Sequence, residues 1–182
     1  IIVFINSTII KTFSSWFTTY SLTLNISIEV SSIFLALYSA FSIIGIFLKK
    51  LLLKYFNEKQ ILLYNSIISL IFLLSSFVIN IIFLKIIFIL IFGINIIGFI
   101  TIAISLGIET NPRYSTTIIG LIQGAHYLGV IIFQYIIGYL SDHFSKSSVF
   151  YIDLILLFVL CVTTLVFNFY SKSTGIKAKQ SL

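Results

Sequence analysis

Six stretches of roughly 20 residues run almost free of charge through this sequence, and short polar gaps separate them. A helix needs about 20 apolar residues to cross the hydrocarbon core of a bilayer. The stretches cover about 1–23, 30–50, 60–80, 84–108, 117–140 and 148–170. Asn25 to Glu29 fills the first gap and Lys49 to Lys59 the second. Asn80 and Lys85 mark a tight turn, and Glu109 to Arg113 carries the only proline, Pro112, which favours a helix boundary before it. Asp142 to Lys146 fills the last gap, and a polar tail occupies 172–182.

Only 9% of the 182 residues are charged, against roughly 25% in soluble domains. With a mean hydropathy of +1.18, the chain cannot cover a soluble surface, so lipid is its expected solvent. Lipid leaves two ways to satisfy the main chain, helices or a closed barrel. Runs such as Ile86–Phe92 are apolar on every side, whereas barrel strands alternate, so an all-α membrane protein is expected.

The net charge of +6 does not point to nucleic acid, because the basic residues sit in the gaps and no aromatic-basic groove pattern accompanies them. Six spans place both ends on one side, with Lys49, Lys50, Lys54, Lys59, Arg113, Lys172, Lys177 and Lys179. Lys85 and Lys146 fall on the other, so both ends are expected in the cytoplasm. Richness in Ile, Phe, Asn and Lys fits an AT-rich bacterial genome, hence a bacterial inner membrane. The chain starts Ile-Ile-Val and holds no methionine, so its beginning is expected to be a cut end.

Cys161 is alone, which excludes a disulfide within the chain, and His126 and His143 lack zinc-site spacing. No phosphate loop, nucleophile elbow or His-Glu metal helix appears, so neither an enzyme nor a cofactor is expected.

Lys11 is the most informative residue. A charge near the bilayer centre costs about 2.5–3.5 kcal/mol on insertion scales. Ser7, Ser14, Ser15 and Thr18 share its helical face, while Ile5, Ile9, Phe13 and Phe17 lie opposite. Such a stripe fits a water-filled cavity in which Lys11 meets an anionic solute group or a proton-carrying carboxylate. The other reading is a lysine that snorkels from near a helix end.

Gln123, Tyr127 and Gln134 form a polar stripe in the fifth stretch, with His126 on the adjoining face. Asn95 stands between Gly93 and Gly98. Each of these either lines a cavity or joins helices, as buried polar side chains in membranes often do. Asp153 is expected to pair with a neighbour or lie near the outer interface. Glu109 and Arg113, four apart, suit a helix-end ion pair. Gly120, Gly124 and Gly129 suit close helix packing.

Asn111-Pro112-Arg113-Tyr114-Ser115 through Gly120, then Gln123, Leu128-Gly129, Phe133-Gln134, Gly138 and Asp142, resembles the eleventh span of the major facilitator superfamily. Thr116 stands where many members have glycine. Trp16 to Tyr20 with Leu24 to Ser27 is similar to the end of the seventh span, and Gly45 to Lys59 to the loop between the eighth and ninth. Lys54 and Lys59 keep that loop basic, but Leu53 replaces a frequent Asp and Asn57 a frequent Gly. The resemblance covers about 12–170 and only the C-terminal half of a twelve-helix fold.

It implies a six-helix bundle that works with a missing N-terminal half. Rocking of the halves would carry a small polar solute, with a proton as the expected symported ion. The expected solute-facing residues are Lys11, Ser14, Ser15, Thr18, Asn95, Gln123, His126 and Gln134. The expected cytoplasmic gate comprises Lys54, Lys59, Glu109 and Arg113. A drug or metabolite exporter, a structural membrane protein and a non-functional fragment are the alternatives.

Overall fold

A computed structural model describes residues 1–144 and 148–173. Lys146, Lys177 and Lys179, counted above for orientation, lie outside the described residues, as does most of the polar tail. The described chain is helical, without strands: α1 (Ile2–Thr23), α2 (Ile28–Leu52), α3 (Glu58–Val78), α4 (Ile82–Ile96), α5 (Phe99–Thr110), α6 (Ser115–His143) and α7 (Ser148–Ser173). A 3₁₀ turn, Pro112–Tyr114, joins α5 to α6.

Local chemistry sets several ends. Ser27 caps α2 by accepting the Val30 N–H at 3.4 Å. At the start of α3 the Gln60 side chain reaches back to the Asn57 N–H at 3.1 Å. The fourth stretch, expected as one span over 84–108, is instead two helices. The chain breaks at Ile97-Gly98, and Gly98 takes φ +88°, a left-handed conformation that favours glycine.

Five helical segments are long and apolar enough to cross a membrane: Ile28–Leu52, Glu58–Val78, Ile82–Thr110, Pro112–His143 and Val149–Tyr170. The protein is therefore a multi-pass integral membrane bundle. Its outer surface agrees, since Phe47 of α2, Ile131 of α6 and Phe158 of α7 are all exposed. α1 has 22 residues but a more polar composition.

That polar helix is the hub, packed against α2, α5, α6 and α7. Its expected apolar face is the core: Ile5, Ile9, Phe13 and Phe17 are all buried. The Phe13 ring lies 5.2 Å from Phe17, 4.8 Å from Tyr38, 5.3 Å from Phe92 and 5.7 Å from Phe150, between centroids. One side chain thus ties α1 to α2, α4 and α7, and such aromatic pairs add about 0.5–1.5 kcal/mol each beyond burial.

α4 and α7 add large apolar residues to this core, among them Phe92, Ile96, Phe150 and Leu157, while other contacts are made by small or polar residues, as helix packing in lipid favours. α2 buries only Ser31, Tyr38, Ser42, Gly45 and Lys49. Ser66 of α3 and Thr164 of α7 share a hydroxyl hydrogen bond at 2.9 Å. Gly129 of α6 sits against the main chain of Phe4, where a Cβ would collide with the Phe4 carbonyl. Gly120 and Gly124, expected to pack as Gly129 does, instead face open space.

Gly129→Leu should push α6 off α1 and cost about 2 kcal/mol, the usual scale of overpacking. Gly120→Leu should leave stability within about 0.5 kcal/mol. Thermal unfolding of the two variants in detergent compares them directly.

Candidate functional site

The open face of α1 carries the expected polar stripe. Lys11 and Ser15 are exposed, and Ser14 and Thr18 are half-buried beside them. Ser14 donates to its own Ile10 carbonyl at 2.8 Å. Ser7 departs from the stripe. It is buried against α6 and donates to the Phe4 carbonyl at 2.9 Å and the His126 carbonyl at 3.0 Å.

Gln134 of α6 meets this region, its amide pointing to the Thr12 hydroxyl at 3.5 Å. Thr12 is fully buried next to Lys11, and sequence reasoning passed over it. His126 and Gln123 are half-buried, but they come earlier along α6. His126 meets α1 at Ser7 through its main chain, while its ring packs edge-on against Tyr127 at 5.1 Å. Tyr127 itself is exposed, so the expected Gln123–Tyr127–Gln134 stripe does not act as one surface.

At the end holding the α2–α3 turn, Lys54, Glu109 and Arg113 are exposed and Lys59 is half-buried. The helical i, i+4 geometry expected for Glu109 and Arg113 is absent, because α5 stops at Thr110 and Asn111 turns away at φ −144°, ψ 73°. Glu58, unremarked in the sequence, links this end: it hydrogen-bonds Ser105 and feels the charges of Glu109 and Lys59.

The second polar feature is the break in the fourth span. A helix end leaves its last four carbonyls without main-chain partners. In lipid each open carbonyl costs several kcal/mol. α4 ends with Gly93, Ile94, Asn95 and Ile96. Ser42 donates to the Gly93 carbonyl at 3.3 Å, Lys49 to the Asn95 carbonyl at 2.9 Å, and Asn6 to the Ile96 carbonyl at 2.9 Å. Gly45 presses its Cα against the Ile94 carbonyl, where a Cβ would collide. Asn95, expected to line a cavity, turns its side chain back to the Ile91 carbonyl at 2.8 Å and offers its main chain to Lys49.

Lys49 is therefore not a loop residue, as the orientation count assumed. It is 5% exposed within α2. The spacing could have shown this: Tyr38, Ser42, Gly45 and Lys49 recur every three or four residues, on one face of the helix. Asp153, expected near an interface or with a partner, is fully buried, and neither carboxyl oxygen makes a hydrogen bond. The nearby Tyr38 hydroxyl is also buried without a partner. Among the described residues no cluster of three metal-ligating side chains occurs.

Gly98→Ala should cost about 1–2 kcal/mol through left-handed strain. The new Cβ would also meet the Lys49 Cδ at 2.9 Å. Gly138→Ala, with nothing within 4 Å of its Cβ, should be neutral or stabilising by up to about 1 kcal/mol. Melting temperatures in detergent distinguish the two. The chain matches no protein-family model, no curated protein and no solved structure.

Proposed function

We propose that this chain is one six-helix half of a secondary transporter, with the polar face of α1 lining the path of a small polar solute. One observation carries the reading. The central helix buries its apolar face and leaves its polar face, with Lys11 and Ser15, uncovered. Facing lipid, an ammonium at that depth would cost about 2.5–3.5 kcal/mol. Facing water enclosed by a second bundle, it costs little and meets an anionic group on the solute.

The discontinuous fourth span supports the same reading, since transporters use irregular main chain where it borders a cavity. The resemblance of 111–142 to an eleventh span of the major facilitator superfamily supports a twelve-helix assembly with the N-terminal half as partner. On this reading a proton gradient drives uptake, and Gln134, held from behind by the buried Thr12, borders the path near Lys11. Lys50, Lys54, Lys59 and Arg113 favour a cytoplasmic placement of both ends, in a bacterial inner membrane. Lys49 no longer contributes to that asymmetry, because it is buried.

The test is uptake of radiolabelled organic anions and amino acids by proteoliposomes holding the whole protein. Lys11→Ala and Lys11→Gln should each lower uptake about 10-fold or more, the worth of one charge-assisted contact. Uptake equal to wild type in both variants would remove Lys11 from the path and the reading with it.

A further inference from the structure

The ammonium of Lys49 has an unusual address. It lies where α4 stops, at the negative end of a half-helix, and donates to the Asn95 carbonyl at 2.9 Å. The Phe99 ring stands 5.6 Å away, close enough for a cation–π contact. Gly98 adjoins the stem, and its missing side chain leaves the space the stem fills. No carboxylate pairs with Lys49 among the described residues. A carbonyl, an aromatic face and a helix-end dipole together complement a cation without any anion.

We propose that the C-terminal end of α4 is a binding site for a monovalent primary-ammonium cation, and that Lys49 is its tethered occupant. The lysine does what a bound ion does at a broken membrane helix: it satisfies main-chain oxygens that unwinding leaves open. The bend at Gly98 then depends on occupancy. With the cation in place α4 and α5 stay at their angle, and without it the Asn95 carbonyl is stranded. The inference does not require transport, so it stands or falls separately from the solute path.

Lys49→Ala removes three methylenes and the ammonium, which is the outline of n-propylammonium. The full chain in lipid nanodiscs is melted as wild type, Lys49→Ala and Lys49→Met, with n-propylammonium or with tetramethylammonium at equal ionic strength. Lys49→Ala should lose roughly 5–10 °C of Tm, the scale of one buried hydrogen bond to a charged group. n-Propylammonium should restore much of that loss saturably. Tetramethylammonium, which has no N–H donor, should not. Lys49→Met fills the space without charge, so it should be destabilised and unresponsive.

A Lys49→Met variant as stable as wild type would show that the charge is idle and overturn the proposal. Equal gain of wild type and Lys49→Ala from n-propylammonium would do the same, as would no gain in Lys49→Ala. If Lys49→Ala is not recovered folded, monodisperse protein after solubilisation with and without the amine gives the reading. More with the amine supports the site, and equal recovery refutes it.

Discussion

Inside the hydrocarbon layer no water reaches a main-chain carbonyl, so a helix that stops there must have its end covered by protein. α4 stops there, and its four open carbonyls determine much of what surrounds it. The inner face of α2 is Tyr38, Ser42, Gly45 and Lys49, which meet α4 from Gly93 down to the break. α1 supplies Asn6 to the last carbonyl. The buried face of α2 thus consists of polar and small residues and one tyrosine, while many of its large apolar residues face outward, the reverse of a soluble helix.

α1 has the opposite arrangement along its Lys11 face. Phe13 gathers Tyr38, Phe92 and Phe150 around it, so the apolar side of α1 is committed to the core. Lys11 and Ser15 are left outward by geometry, since they lie opposite. In a chain whose other helices present Phe and Ile to their surroundings, this is the face that needs water or a polar partner. The proposed transport path and the cation at α4 therefore share one cause, the placing of polar groups where lipid cannot reach.

The helical membrane class was legible because long apolar runs report it whatever their register. The core face of α1 was legible too, because Ile5, Ile9, Phe13 and Phe17 recur with helical spacing. The break in the fourth span was not. Gly98 sits in a long uncharged run without proline, where glycine is equally expected for close helix packing. Lys49 was misread for a related reason: next to Lys50 and near Lys54 it looks like part of a basic loop. Glu109 and Arg113 have the right separation for a helical pair, yet Asn111 ends the helix between them. Asp153 was visible as a charge in a span, but its complete burial without a hydrogen bond depends on how α7 packs.

The central claim is that the uncovered face of α1 looks onto water rather than lipid. It is tested by single cysteines at Lys11, Ser15 and Thr18, with Ile33 and Phe158 as controls on outer faces, in a Cys161→Ser background. Reaction with a membrane-impermeant charged thiol reagent is followed in sealed vesicles holding the whole protein. The account predicts fast modification at 11, 15 and 18 and slow modification at 33 and 158. Modification of the α1 positions no faster than the controls would contradict it.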